Sequence, residues 1–138
     1  MTRLTLALAL LAGPAFAGPP SAVISLDAAR TQVTPNGKAS IQHLALGQNA
    51  FIGRLEMAAG AAVPEHQDET EEYIHVLEGH GVITIDGKAR QIGPGDTVFM
   101  AANATVRYQN GDQKLVALQV FAGPAPAKKY DKWKAPKP

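Results

Sequence analysis

The sequence contains no cysteine, so no disulfide braces the fold, even in an oxidising compartment that would permit one. Stability must come from packing, helped by a metal ion or a second subunit. A sizeable net charge is missing too. The 13 basic residues nearly balance the 12 acidic ones, which offers no electrostatic case for nucleic acid or an anionic membrane as partner. No apolar run reaches the roughly 20 residues a membrane span needs. There is no internal repeat and no long amphipathic helical pattern, which leaves one domain and points away from a helical fold.

What is present begins with the segment Met1 to Ala17. Arg3 supplies a positive charge, Leu4 to Ala12 is apolar, and Ala15-Phe16-Ala17 is a small-x-small cleavage signal followed by Gly18-Pro19-Pro20. That layout is a secretory signal peptide, and it predicts a periplasmic or secreted protein cleaved after Ala17. No cysteine follows the apolar run, so a lipoprotein anchor is excluded. Cleavage leaves 121 of the 138 residues, with 12 basic against 12 acidic once Arg3 is gone. That length suits one domain with one core. The expected division is a signal peptide over 1–17, an N-terminal arm over 18–39, a β-barrel over 40–121 and a Pro- and Lys-rich tail over 122–138.

From Ser40 onward, short apolar runs alternate with turn signals. Ser40–Leu46, Ala50–Met57, Tyr73–Glu78, Gly81–Ile85, Lys88–Ile92, Thr97–Met100, Thr105–Asn110 and Leu115–Phe121 read as strands, β-branched or aromatic in part and bounded by Gly, Asn, Asp or Pro. Asp86-Gly87 is the two-residue turn of a tight hairpin. Gly93-Pro94-Gly95-Asp96 and Asn110-Gly111-Asp112 mark further reversals. This spacing predicts an all-β sandwich or barrel. Leu26 to Gln32 reads equally as a helical turn or an extended arm. The tail reads as solvated by composition, but Tyr130 and Trp133 are reasons for part of it to pack back.

The ordered polar residues lie between Gly60 and Gly79. His66 and Asp68 are two apart, so an extended chain presents both on one face. Glu72 opens the next strand and shares a face with Ile74 and Val76. If those two face the barrel interior, so does Glu72, and a buried carboxylate needs a partner. A metal ion or His66 would serve. Glu65, Glu69 and Glu71 read as a solvated acidic rim whose proximity would raise the pKa of Glu72. His75 lies on the opposite face of its strand, and His80 sits in the Gly79-His80-Gly81 turn. Both read as structural or exposed.

These residues resemble the cupin superfamily. Its first motif runs Gly, five residues, His-x-His, three or four residues, Glu, six residues, Gly. Here Gly60, His66-Gln67-Asp68, Glu72 and Gly79 stand at those spacings, with Asp68 in the place of the second His. The second motif matches at Gly95 and Asn110, but Ala101 and Asn103 replace its Pro and Gly, and Val106 replaces its metal-binding His. The resemblance covers roughly Ser40 to Phe121. It implies a single double-stranded β-helix, or jelly-roll, barrel. It offers His66, Asp68 and Glu72 as ligands of a weakly held divalent metal, Mn, Fe or Zn, while the acidic rim that would raise its pKa makes Glu72 the candidate catalytic proton carrier. It also suggests a homodimer formed through edge strands.

His43 and Gln119 are candidates for a further ligand, against the alternatives of a hydrogen-bonded strand histidine and a core amide. Arg54 is a candidate anchor for a carboxylate ligand in the barrel mouth, against an outward-facing strand arginine. Tyr108 shares a face with Val106 and Asn110 and is a candidate cavity-lining residue. Three functions remain open: a metal-dependent enzyme, a metal-free module binding a small molecule, and a structural protein. Because the resembling family includes dioxygenases, isomerases and decarboxylases, the resemblance selects no reaction.

Overall fold

A computed structural model describes residues 18–137. The signal peptide expected over 1–17 lies outside the described residues. After a short 3-10 turn at Leu26–Ala28, the described residues form ten strands: β1 (Arg30–Val33), β2 (Ala39–Leu46), β3 (Ala50–Met57), β4 (Ala62–His66), β5 (Glu72–Glu78), β6 (Gly81–Ile85), β7 (Lys88–Ile92), β8 (Thr97–Met100), β9 (Val106–Asn110) and β10 (Leu115–Ala122). A 3-10 helix, Ala125–Lys132, follows. The strands pair antiparallel in two sheets, of order β1-β2-β3-β10-β5-β8 and β4-β9-β6-β7. This is the jelly-roll barrel that the cupin resemblance implies, within the all-β class the pattern of short strands predicts.

The period of two places the core. Val106, Tyr108 and Asn110 of β9 are buried while Arg107 and Gln109 between them are exposed. On β8, Val98 and Met100 face in while Thr97 and Phe99 face out. Together with Met57, Val76, Ile83, Leu115 and Ala117 they form the main apolar cluster between the sheets. Asn110 is buried without strain because its amide donates to the carbonyls of Ala58 at 2.8 Å and Gln113 at 2.9 Å. The Asp86-Gly87 hairpin has positive φ at both positions, 48° and 78°, as a type I′ turn requires.

Two strands were not legible in the sequence. β4 carries Pro64, which argues against a regular strand. It is tolerated at a bulge, where the register against β9 shifts between Val63 and His66. β1 is short, and it lies within the segment 18–39 that reads as an arm. Leu26–Gln32 is therefore both of its alternatives, a 3-10 turn and then extended chain.

The C-terminal segment packs down as a strap and is not a solvated tail. Lys134 and Val33 exchange backbone hydrogen bonds of 2.7 and 2.8 Å. The buried Gln32 donates to the Tyr130 carbonyl at 2.9 Å. Tyr130 is only 2% exposed and lies in a second apolar cluster with Ile41, Phe51, Phe121 and Ala127. Trp133 meets its ring edge-on at a centroid distance of 4.9 Å. Burying two such aromatic rings outweighs the cost of ordering a Pro- and Lys-rich segment.

His43 belongs to this cluster. Its Nε2–H donates to Gln32 Oε1 at 2.7 Å, and its ring packs edge-on against Phe51 and Tyr130. Burial and then the nearby Arg30 charge hold its pKa below the usual 6.5, with Asp131 opposing. A depressed histidine takes up its proton more readily in the unfolded chain. Its stabilising contribution is full above pH 6.5 and is lost as pH falls toward the folded-state value. In urea unfolding from pH 8 to pH 5, the stability advantage of the wild type over His43→Gln should shrink on the acid side. A difference independent of pH would contradict this account.

Candidate functional site

The barrel encloses a cavity of about 130 Å³ whose walls are mostly apolar. Leu55 and Met57 of β3, Ile74 of β5, Ile83 of β6 and Val106 and Tyr108 of β9 line it. The polar groups His66, Glu72, Gln119 and Lys129 also line it.

His66 arrives there because of the bulge in β4. Val63 and His66 are three residues apart and would face opposite ways on a regular strand. Pro64 and Glu65 stand against the single Arg107 between the partners Tyr108 and Val106, and this extra residue in β4 brings both side chains inward. The Nδ1 of His66 lies 3.0 Å from the Pro64 carbonyl oxygen. A carbonyl only accepts, so Nδ1 carries the hydrogen and the Nε2 lone pair is left for another partner. Nε2 lies 3.8 Å from Asp68 Oδ2.

Glu72 begins β5 on the same inward face as Ile74 and Val76 and is 6% exposed. Gln119 of β10 sits diagonally across from it on the shared face. Its Nε2 donates to Glu72 Oε1 at 2.5 Å, and its Oε1 accepts from the Tyr130 hydroxyl. Burial pushes the Glu72 carboxyl above its usual range. The Gln119 hydrogen bond and the Lys129 charge pull it back, and Asp68 pushes it further up. The like charge that matters is therefore Asp68. Glu65, Glu69 and Glu71 are exposed, and Glu71 instead accepts from the Tyr73 hydroxyl at 2.9 Å. Burial also raises the pKa of Tyr130, which keeps its hydroxyl a donor, and pushes Tyr108 up to about 12.

His66, Asp68 and Glu72 are thus brought together. Each offers a ligand atom, all within 4.8 Å of one another. One imidazole nitrogen with its tautomer set by Pro64, plus two carboxylates, is a donor set that fits a small divalent ion. Two features weaken it. Val106 pairs directly with His66 on the neighbouring strand, so the position beside the imidazole is apolar. Lys129 Nζ lies 2.9 and 2.7 Å from the two Asp68 oxygens, so an ammonium already neutralises that carboxylate.

The other candidates separate. Gln119 and Tyr108 line the cavity, and the Tyr108 hydroxyl donates to Asn110 Oδ1 at 3.1 Å. Gln119 is a bridge between Glu72 and Tyr130. Arg54 does not reach the barrel mouth. It lies on the outer face of β3, opposite in parity to Phe51, Gly53 and Leu55, where it pairs with Glu56 and donates to Gln42 Oε1 at 3.2 Å. His43 does not reach the cavity either, because the second aromatic cluster holds it. His75 and His80 are exposed, near Thr97 and Asp112 respectively. Sequence reasoning missed Lys129. Its only signal was that Tyr130 and Trp133, three residues apart in a polar tail, marked a segment that folds back.

The cupin domain pattern matches residues 53–121. No curated protein matches the chain in sequence. Among solved structures, it is similar to a predicted oxalate decarboxylase from Thermotoga maritima, with 25% identity and a TM-score of 0.66 over 74% of this chain and 99% of that one. An RmlC-like cupin from Shewanella frigidimarina shares 17% identity with a TM-score of 0.69 over 79% and 96% of the two chains. The DMSP lyase DddQ from Ruegeria pomeroyi is 28% identical with a TM-score of 0.52, over 55% of this chain and 39% of that one. With its domain pattern, its two-sheet barrel and the spacing of Gly60, His66, Glu72 and Gly79 in agreement, this chain belongs to the cupin family as a small single-domain member.

Proposed function

We propose that this chain is an exported cupin that binds a small, largely apolar molecule in its barrel, beside a weakly held divalent ion, and acts on it as a metal-dependent enzyme. The observation that carries this reading is the convergence of His66, Asp68 and Glu72, two of which, His66 and Glu72, line a mostly apolar cavity. His66 Nε2 and one oxygen each of Asp68 and Glu72 would hold Mn, Fe(II) or Zn. A bound ion would supply Lewis-acid polarisation of a ligand oxygen. The apolar walls exclude water and orient the carbon skeleton of the ligand. Gln119 holds one Glu72 oxygen and leaves the other to the cavity, where it would ligate the ion when metal is bound and would carry a proton when it is not. The relatives named as a predicted oxalate decarboxylase and a DMSP lyase support a lytic or decarboxylating reaction class.

Lys129 on Asp68 favours a second reading, a metal-free binding module in which His66 and Glu72 orient the ligand by hydrogen bonds. Metal analysis of protein purified without chelator separates the two. Under the first reading, Zn²⁺ or Mn²⁺ at a hundredfold excess over Kd stabilises the fold by about 2.7 kcal/mol, and Glu72→Gln abolishes the effect. If no metal is retained and none shifts the melting temperature, the first reading is lost. A thermal-shift panel of sugars and small carboxylates tests the second, which fails if none stabilises the protein.

We further propose a homodimer through the edge of the larger sheet. Ile52, Val120, Tyr73 and Phe99 pair in one row across β3, β10, β5 and the edge strand β8, on the outer face. Tyr73 and Phe99 are 36% and 52% exposed, with their rings 5.2 Å apart. A second copy would cover this row and the open edge together. Light scattering should give twice the chain mass, and Phe99→Glu should give the monomer. A monomeric wild type would refute the dimer.

Export follows from the Arg3, Leu4–Ala12 and Ala15-Phe16-Ala17 pattern. N-terminal sequencing of the protein from the extracytoplasmic fraction should begin at Gly18. An intact Met1 start in that fraction would oppose cleavage.

A further inference from the structure

We infer that Lys129 is the resident counter-cation of the site, that a divalent ion must displace it from Asp68 in order to bind, and that this displacement unlatches the C-terminal strap from the cavity. The inference rests on the metal reading of the same site proposed above. Both Asp68 oxygens face Nζ, at 2.9 and 2.7 Å. An ion coordinated by either oxygen would lie within a few ångström of the ammonium and repel it. Charge balance points the same way. One ammonium offsets Asp68 alone, whereas a divalent ion offsets Asp68 and Glu72 together. Both cations at once would leave an excess positive charge against an apolar cavity. Lys129 has somewhere to go, because its side chain is 35% exposed and its stem is long.

The strap reaches two of the three ligands, Asp68 directly and Glu72 through Gln119. Lys129 holds Asp68, and the Tyr130 hydroxyl holds Gln119, which in turn holds Glu72. Trp133 of the same segment lines the cavity and also a neighbouring groove with Thr34, Asn36 and Lys38. A cation that rearranges Asp68 and Glu72 therefore acts on both attachments of the strap to the site. By linkage, whatever loosens the strap must raise metal affinity by the same factor. Lys129 thus sets how weakly this cupin holds its metal and couples metal occupancy to access.

The test is Zn²⁺ titration, by calorimetry, of the wild type, Lys129→Met, Lys129→Gln and Lys129→Arg. The chain has one tryptophan, so Trp133 emission reports the strap in the same samples, and Zn²⁺ is redox-inert. Affinity should rise about tenfold or more in the Met and Gln variants and stay near the wild-type value in Lys129→Arg, which keeps the charge. Emission of the wild type should shift to longer wavelength as Zn²⁺ saturates. Equal or weaker binding in both Met and Gln variants overturns the inference and leaves the metal reading standing. Absence of Zn²⁺ binding in every protein overturns the metal reading and the inference with it. Unchanged Trp133 emission at saturation overturns the unlatching, and this readout needs no variant to fold.

Discussion

A carboxylate turned into an apolar barrel is the constraint on which the rest of the site depends. Glu72 is buried because its strand alternates, and Ile74 and Val76 on the same face belong to the core. Leaving that acid without partners would cost several kcal/mol. The fold meets the demand with Gln119 from the adjacent strand β10, oriented in turn by Tyr130. The three form one chain of hydrogen bonds, from the Tyr130 hydroxyl to Gln119 Oε1 and from Gln119 Nε2 to Glu72. That chain ties the C-terminal segment to the middle of the barrel, and it explains why a segment rich in Pro and Lys is ordered.

The second device is the bulge at Pro64. Without it, Val63 and His66 could not both face the cavity, and the imidazole would point to solvent. The same proline supplies the carbonyl that fixes the His66 tautomer. A residue that breaks strand regularity thus both aims and primes the candidate ligand. Functional positions in sheets commonly sit beside such irregularities.

The site carries two opposed signals. Its donor set suits a divalent ion, yet Val106 removes a ligand position and Lys129 supplies a cation from within the chain. A tethered ammonium and a metal are alternatives for the same carboxylate. Their competition would make a divalent ion held by His66 and Glu72 a weakly bound one.

Alternation and turn chemistry determined most of the barrel from sequence alone. Eight strands, the Asp86-Gly87 hairpin and the inward face of Glu72 were legible because periodicity of two and positive-φ turns are local properties. The spacing from Gly60 to Gly79 likewise located His66, Asp68 and Glu72. β1 and β4 were not legible, one because it is short and the other because it carries Pro64. For Arg54 and His43 the sequence left the cavity and its alternatives both open, since the choice between an inner and an outer face, or between two apolar clusters, depends on partners far away in the chain. Only the tertiary structure decided what neutralises Asp68. Lys129 lies 61 residues away, and no local pattern states which buried charge a distant lysine will meet. That meeting is set by where Tyr130 and Trp133 find enough apolar surface to bury.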